Sequence, residues 1–271
     1  MARHGRAVGD RIRLIISVIV ECFPITIRRL IPTFDGILRR ITRPLLRKSV
    51  VVLDGLAYSP IDAESLIILH PEFEKDVWEW LKPERGQVLV DVGAHLGKYT
   101  LQAARIVGNR GLVVSLEPHP ENFKGLSNGI TMNSFKNVVA LEVAAWHEDC
   151  QLHLFVGDVA GHHSAKINRG IGRIHVRART IDGIVEELKV ERVDWVKVDV
   201  EGAELEVLEG LRHTLAKYAP KVIVEVFDEN MKAVLKLMED CRYAVTPIGC
   251  LDGCTYFCCE PFFIRRCTCE I

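Results

Sequence analysis

The chain has 271 residues, 48% of them apolar, enough to bury one large core, and its formal net charge is −1. That near-neutral sum hides an asymmetry: residues 1–50 carry eleven Arg and Lys against Asp10, Glu21 and Asp35, so the remaining body is acidic by about nine charges. An acidic body is a poor match for a polyanion, which disfavours nucleic acid and leaves only the N-terminal arm to meet phosphates or anionic lipid.

In chain order, "LIISVIVECFPITI" (14–27) is apolar except for Ser17, Glu21 and Thr26 and contains Pro24. It falls short of the roughly 20 residues a spanning helix needs. Its flanks, Arg11/Arg13 and Arg28/Arg29, suit a segment lying in a membrane interface, and no small-residue cleavage site follows. We therefore expect a cytoplasmic body with peripheral contact at the inner membrane face through residues 1–50. Ile37, Leu38, Ile41 and Leu45 then oppose Arg39, Arg40, Arg43 and Arg47 at helical spacing, interrupted by Pro44. A helix docked on the body is the first expectation for this stretch. Interfacial attachment and nucleic-acid binding are the alternatives.

From Asp54 to Glu84 the pattern predicts two strand-like pieces and a helix over 71–81. A regular alternation follows: strands at 88–92, 112–117, 138–144, 194–199 and 221–227. Helices fall between them at 97–107, 120–132, a segment capped by Thr180 and Asp182 that ends near Leu188, and 203–217. Such alternation predicts an α/β fold, a mainly parallel sheet with helices on both faces. "QLHLFV" (151–156) and "RIHVRAR" (173–179) read as antiparallel strands. After Tyr243, "YAVTPI" and "TYFCCEPFFIRR" read as strands closing one edge. The expected division is an arm (1–53), a catalytic body (54–247) and cysteine-rich strands (248–271) belonging to the same body.

Seven of the nine cysteines follow residue 240. Their C-x3-C-x3-C-C and C-x-C spacing does not reproduce paired zinc knuckles. Reduced cysteines packed as small apolar residues come first, ahead of disulfides and zinc, and no metal site is expected.

The ligand of an open α/β sheet sits beyond the carboxyl ends of its strands. There the chain reads Asp91-Val92-Gly93-Ala94-His95-Leu96-Gly97. A dinucleotide loop needs a glycine where His95 stands, and a Walker loop is absent. A donor without phosphate in the loop, S-adenosylmethionine, fits better, and Glu117 ends the second strand where an acid can accept from ribose hydroxyls. A nicotinamide cofactor is the alternative at this point.

The chain also resembles the FkbM-type methyltransferases. The likeness runs from about Asp54 to Val226 in ordered blocks: "VDVGAHLGKYT", "EPHPENF", "NVVALEVAAW", "RTIDGI", "VDWVKVDVEGAELEVLEG" and "VIVEV". The resemblance implies a class I methyltransferase fold, Rossmann-like with seven strands, that uses S-adenosylmethionine to methylate a hydroxyl on a sugar, lipid or small metabolite. By position it implies that Gly93, Ala94 and Gly97 line the methionine end and that Asp91 holds the loop or the donor's amino group. It places Glu117 on the ribose and Ala145 and Trp146 beside adenine. The chain departs from the family at His95, where Asn is common, and at Lys98, where an aromatic is frequent. As a helix start, Lys98 is expected to be exposed.

Methyl transfer to a hydroxyl needs a positioned nucleophile and a base. Asp199 ends the fourth strand facing the cleft and is the first candidate, with Glu201 second. Glu204 reads as a helix N-terminal acid. Lys197 is expected to pair with Asp199 or face the cleft, and Glu225 to help bind substrate. His162 and His163 are candidates for a base or, with Asp199, a metal pair, although a histidine pair in a solvated loop is more often inert. The strand end lacks the [DNS]-P-P-[YF] of amino-nucleobase methylators. Two rivals stay open: a nicotinamide oxidoreductase, and a non-catalytic scaffold tethered to membranes by its arm.

Overall fold

A computed structural model describes residues 8–12, 14, 40, 42–157, 163–168, 172–251 and 253–262. Most of the apolar stretch 14–27, Ile37, Leu38, Ile41, His162, Cys267 and Cys269 lie outside them. Among the described residues no helix is long and apolar enough to cross a membrane.

The chain enters through a hairpin, β1 (Val51–Leu53) and β2 (Leu56–Tyr58), and two short helices, α1 (Ala63–Ile68) and α2 (Lys75–Trp80). The helix expected over 71–81 is the shorter α2, and α1, which precedes it, went unread. Asp62 and Ser65 form a reciprocal cap that starts α1. The alternation then runs β3 (Val88–Val92), α3 (Lys98–Val107), β4 (Leu112–Leu116), α4 (Pro120–Met132) and β5 (Val138–Leu141). After a side sheet come α5 (Ile181–Glu187), β9 (Trp195–Val198), α6 (Glu204–Glu209), α7 (Arg212–Tyr218), β10 (Lys221–Phe227) and α8 (Met231–Asp240). Strands β11 (Tyr243–Leu251) and β12 (Cys254–Pro261) end the described chain.

The central sheet has seven strands in the order β11-β12-β10-β9-β3-β4-β5. Five are parallel, while β12 is antiparallel to both β10 and β11. This is the class I methyltransferase architecture, α/β with a mainly parallel sheet. Period-two alternation decides which helices cover which face. Val88, Val90 and Val92 pack with α5–α8 through residues such as Ile184, Leu208 and Leu237. Leu89 packs on the other side with Val77, Leu81, Ala103 and Val107 of the α2–α3 layer. The strands are therefore buried on both faces, as their unbroken apolar runs require.

β6 (Ala144–Ala145), β7 (Cys150–Val156) and β8 (Gly172–Arg179) form a separate three-stranded sheet in which β7 and β8 are antiparallel. The strand expected over 138–144 is split between the two sheets. The helix expected over 203–217 is broken at Gly210, where a Cβ would lie 2.0 Å from the carbonyl oxygen of Trp146. Thr180 caps α5, whereas Asp182 accepts from the N–H groups of His213 and Thr214 and so caps α7 instead. A boundary after residue 247 falls inside β11.

The end of the arm contacts the body. Residues 42–46 are helical, and Leu46, rather than the half-buried Leu45, sinks fully into a cluster with Leu14, Val51 and Tyr58. Arg47 meets Glu121 at 2.5 Å and Arg43 lies 3.9 Å from Asp62.

Candidate functional site

Beyond the carboxyl ends of β3, β4, β9 and β10 lies a cleft of about 270 Å³. Its two sides are built differently. The loop side starts at Gly93, with φ +79°, where a Cβ would stand 1.7 Å from the carbonyl oxygen of Asp199. Glycine is required there for close approach as well as for backbone shape. The N–H groups of Gly93 and Ala94 both donate to the Leu116 carbonyl, at 3.0 and 2.9 Å, folding the loop onto β4. His95 takes a left-handed conformation (φ 51°) and donates its backbone N–H to Glu117 Oε2 at 2.8 Å.

Glu117 is 4% exposed and also accepts from the His119 N–H (2.9 Å) and Asn122 Nδ2 (3.4 Å). Burial outweighs these donors and pushes its carboxyl up to about 7. Burial likewise pushes the His95 imidazole down to about 4, and its Nε2 has no hydrogen-bond partner among the described residues. Leu116, Val143, Ala144 and Ala145 supply apolar walls beside Glu117.

The strand-end side is a network of charge. Lys197, 2% exposed, donates to Asp199 Oδ2 at 2.9 Å and lies 4.4 Å from the Tyr99 ring centroid. Burial opposes ionisation of Asp199, but Lys197 and a hydrogen bond from Glu225 outweigh it and hold the carboxyl below its ordinary value. Glu225 keeps the proton, pushed up to about 10 by burial and then by the Asp199 charge. Cys254 Sγ donates to Glu225 Oε1 at 2.8 Å, and Tyr256 stands opposite Glu225 in the β10–β12 register. Glu74 accepts from the hydroxyls of Tyr99 (2.8 Å) and Tyr256 (2.9 Å).

The family profile described as the Methyltransferase FkbM domain matches residues 91–245, from the start of this loop into β11. The chain belongs to the FkbM methyltransferase family. It is a methyltransferase whose cofactor is S-adenosylmethionine, and the nicotinamide alternative is set aside. The cleft fits that group: a glycine turn without a phosphate fingerprint, a buried carboxyl beside apolar walls, and a buried imidazole nitrogen with no partner among the described residues. Hexuronic acid methyltransferase AglP of Haloferax volcanii is 30% identical over 175 residues, covering 62% of this chain and 69% of that protein. The crystal structure of methyltransferase FkbM from Methylobacillus flagellatus KT is similar at TM-score 0.49 and 17% identity, over 65% of this chain and 45% of that one. M. jannaschii TYW2 in complex with AdoMet is similar at TM-score 0.47 and 16% identity, over 78% and 83%.

Within this FkbM protein the expected site residues divide. Gly93, Ala94, Glu117, Ala145, Asp199 and Glu201 all line the cleft. Asp91, Gly97 and Trp146 do not. Asp91 is fully buried behind the loop, accepting from Thr100 Oγ1 at 2.6 Å, and so braces the loop from beneath. Gly97 starts α3 with φ +86°, its Cβ position 2.7 Å from Leu126. Trp146 sends its N–H to the Arg179 carbonyl, and its own carbonyl lies against Gly210. Glu201 sits at φ 54° with its carbonyl accepting from Ser164 Oγ. Glu204 is buried, accepting from the Gly202 N–H and from Asn230 Nδ2, each at 2.7 Å, and so secures the turn into α6.

Lys98 corrects an expectation: it is 4% exposed, not solvated. His163 lines the cleft, accepting the Gly157 N–H at Nδ1 and stacking on His119 with ring centroids 3.8 Å apart. Among the described residues no group of three or more His, Cys, Asp or Glu could hold a metal ion. Cys254, Cys258 and Cys259 are buried cysteines of β12. Glu74, Tyr99 and Tyr256 were missed. Tyr99 at least lies inside a matched block, whereas nothing local marks Glu74, and Tyr256 sits in text that resembles no family block.

Proposed function

We propose that the protein methylates a hydroxyl of a sugar or related small metabolite, with the donor on the loop side and the acceptor over the strand-end cluster. Bound S-adenosylmethionine supplies a methyl group already activated by its sulfonium. On the chain's side, the Gly93 turn leaves room for the donor's amino-acid end, Glu117 accepts from the ribose hydroxyls, and Ala145 flanks the adenine. Asp91 and Gly97 act indirectly, by holding the loop. The name of the Haloferax volcanii relative supports a sugar as acceptor class.

The observation that carries the proposal is Asp199, a carboxylate 23% exposed at the cleft, fixed by Lys197 and by the proton on Glu225. Its low basicity is no obstacle. A hydroxyl oxygen forming a bond to carbon becomes far more acidic than any carboxylic acid, so a well-placed carboxylate accepts the proton as the bond forms. Lys197 and Glu225 orient the accepting oxygens, and Glu201 lines the adjoining wall. The basic arm is proposed as a peripheral membrane contact that keeps the body at the cytoplasmic face.

The test is incubation with isotope-labelled donor and a panel of sugars, with the product identified by mass and fragmentation. A labelled methyl ether made by wild type and largely lost in Asp199→Asn supports the proposal. Equal turnover by the two proteins removes Asp199 as the base.

A further inference from the structure

Lys98 follows the glycine turn directly, at the first position of α3, yet its side chain runs inward and lines the cleft. The ammonium lies 4.9 Å from the Phe73 ring centroid and 5.6 Å from that of Tyr99, and it donates to the Phe73 carbonyl. Glu74 Oε2 is 3.8 Å away, beyond hydrogen-bond reach, and both Glu74 oxygens already accept tyrosine hydroxyls. An ammonium has three N–H donors. Among the described residues only the Phe73 carbonyl takes one. Lys197, the other cleft lysine, already holds a carboxylate, that of Asp199, at 2.9 Å.

The two lysines approach the same Tyr99 ring, so Lys98 stands next to the cluster that holds Asp199. Its contacts come from the α1–α2 connection (Phe73, Glu74) and from Tyr99. We propose that Lys98 is a specificity-determining residue that binds a carboxylate carried by the acceptor, so that the acceptor is an acidic sugar or hydroxy acid. This rests on the placement of the acceptor over the strand-end cluster. The chemistry is complementary: an anionic acceptor meets Asp199 and Glu74 there, and Lys98 offers the charge-assisted donors that offset them.

The state of Lys98 gives a further handle. Burial lowers its ammonium to about 8, against the opposing charge of Glu74, with Lys197 and Asp199 as the other charged neighbours. A carboxylate is held by the protonated form only, so its binding weakens as pH rises through 8.

The experiment uses the full chain saturated with S-adenosylhomocysteine and two matched probe pairs: methyl glucuronide against methyl glucoside, and methyl galacturonide against methyl galactoside. Binding is followed by ligand-observed NMR. Wild type is expected to favour at least one acid over its neutral partner by about tenfold or more at pH 7, and to lose that preference by pH 9. Lys98→Met is expected to abolish the preference while leaving S-adenosylhomocysteine affinity within about threefold, and Lys98→Arg to keep part of it.

Equal response of wild type to acid and neutral probes overturns the proposal. So does a tenfold loss of S-adenosylhomocysteine affinity in Lys98→Met, which assigns the carboxylate to the donor. If Lys98→Met fails to fold, the pH dependence of wild type and the Lys98→Arg preference decide. A methyl ester rather than an ether in the labelled product supports Lys98's assignment and overturns the hydroxyl reaction.

Discussion

The loop side of the cleft is made from neighbours in sequence, while the strand-end side is assembled from across the chain. Gly93, Ala94, His95 and Glu117 come from one strand–turn–helix unit and the strand beside it, bound mostly through backbone groups. Glu74, Lys98, Lys197, Asp199, Glu225 and Tyr256 meet through side chains, and the hydrogen bond from Tyr256 to Glu74 spans 182 positions. A backbone-built site tolerates side-chain drift and suits a constant ligand, which we propose is the donor. A site built from distant side chains is free to change with the acceptor, and Lys98 lies in that half.

The largest expected effect separates the halves cleanly. Asp199→Asn should lower kcat by about 10²–10⁴ while S-adenosylhomocysteine affinity by calorimetry stays within about threefold. A parallel loss of both would mean that the two sides are not independent. Gly93→Ala should break the comparison at its joint. The left-handed backbone and the contact with the Asp199 carbonyl predict a loss of about 2–4 kcal/mol in unfolding stability, read by denaturant melts, with both affinity and turnover reduced.

Next in size, Glu117→Ala should weaken donor binding about 30- to 100-fold, since it removes acceptors for two ribose hydroxyls. Unchanged affinity takes Glu117 out of the donor site. The same residue predicts a pH profile. The hydroxyls are accepted by the ionised carboxyl, so binding draws its pKa down from about 7. Donor affinity is therefore full above pH 7 and declines as pH falls below it. A flat profile between pH 6 and 8 would contradict that placement. The smallest effect belongs to the edge strand: Cys254→Ala loses the thiol bond to Glu225 and should cost about 1 kcal/mol by thermal melt, with a modest drop in kcat.

Much of the loop side of the cleft was readable in advance because its demands are local. Missing phosphate-loop glycines, a turn between strand and helix and an acid at the next strand end each occupy a few adjacent positions. The resemblance put Trp146 and Gly97 in the cleft, but the Trp146 backbone is engaged by Arg179 and Gly210, and Gly97 packs against Leu126. Lys98 was expected outside because a helix start is usually solvated, and the α1–α2 connection that buries it has no regular pattern.

From its own order of residues the chain determined the alternating strands, the two-faced parallel sheet, the glycine turn and the methyl donor it accepts. Periodicity and backbone geometry act over a few residues, so they can be read in one dimension. Only the tertiary structure decided that β12 slots between β10 and β11, bringing Tyr256 and Cys254 to Glu225, and that Glu74 and Lys98 join them. Strand order and long-range side-chain pairing arise from packing the whole sheet, where each contact depends on segments that carry no local mark of one another.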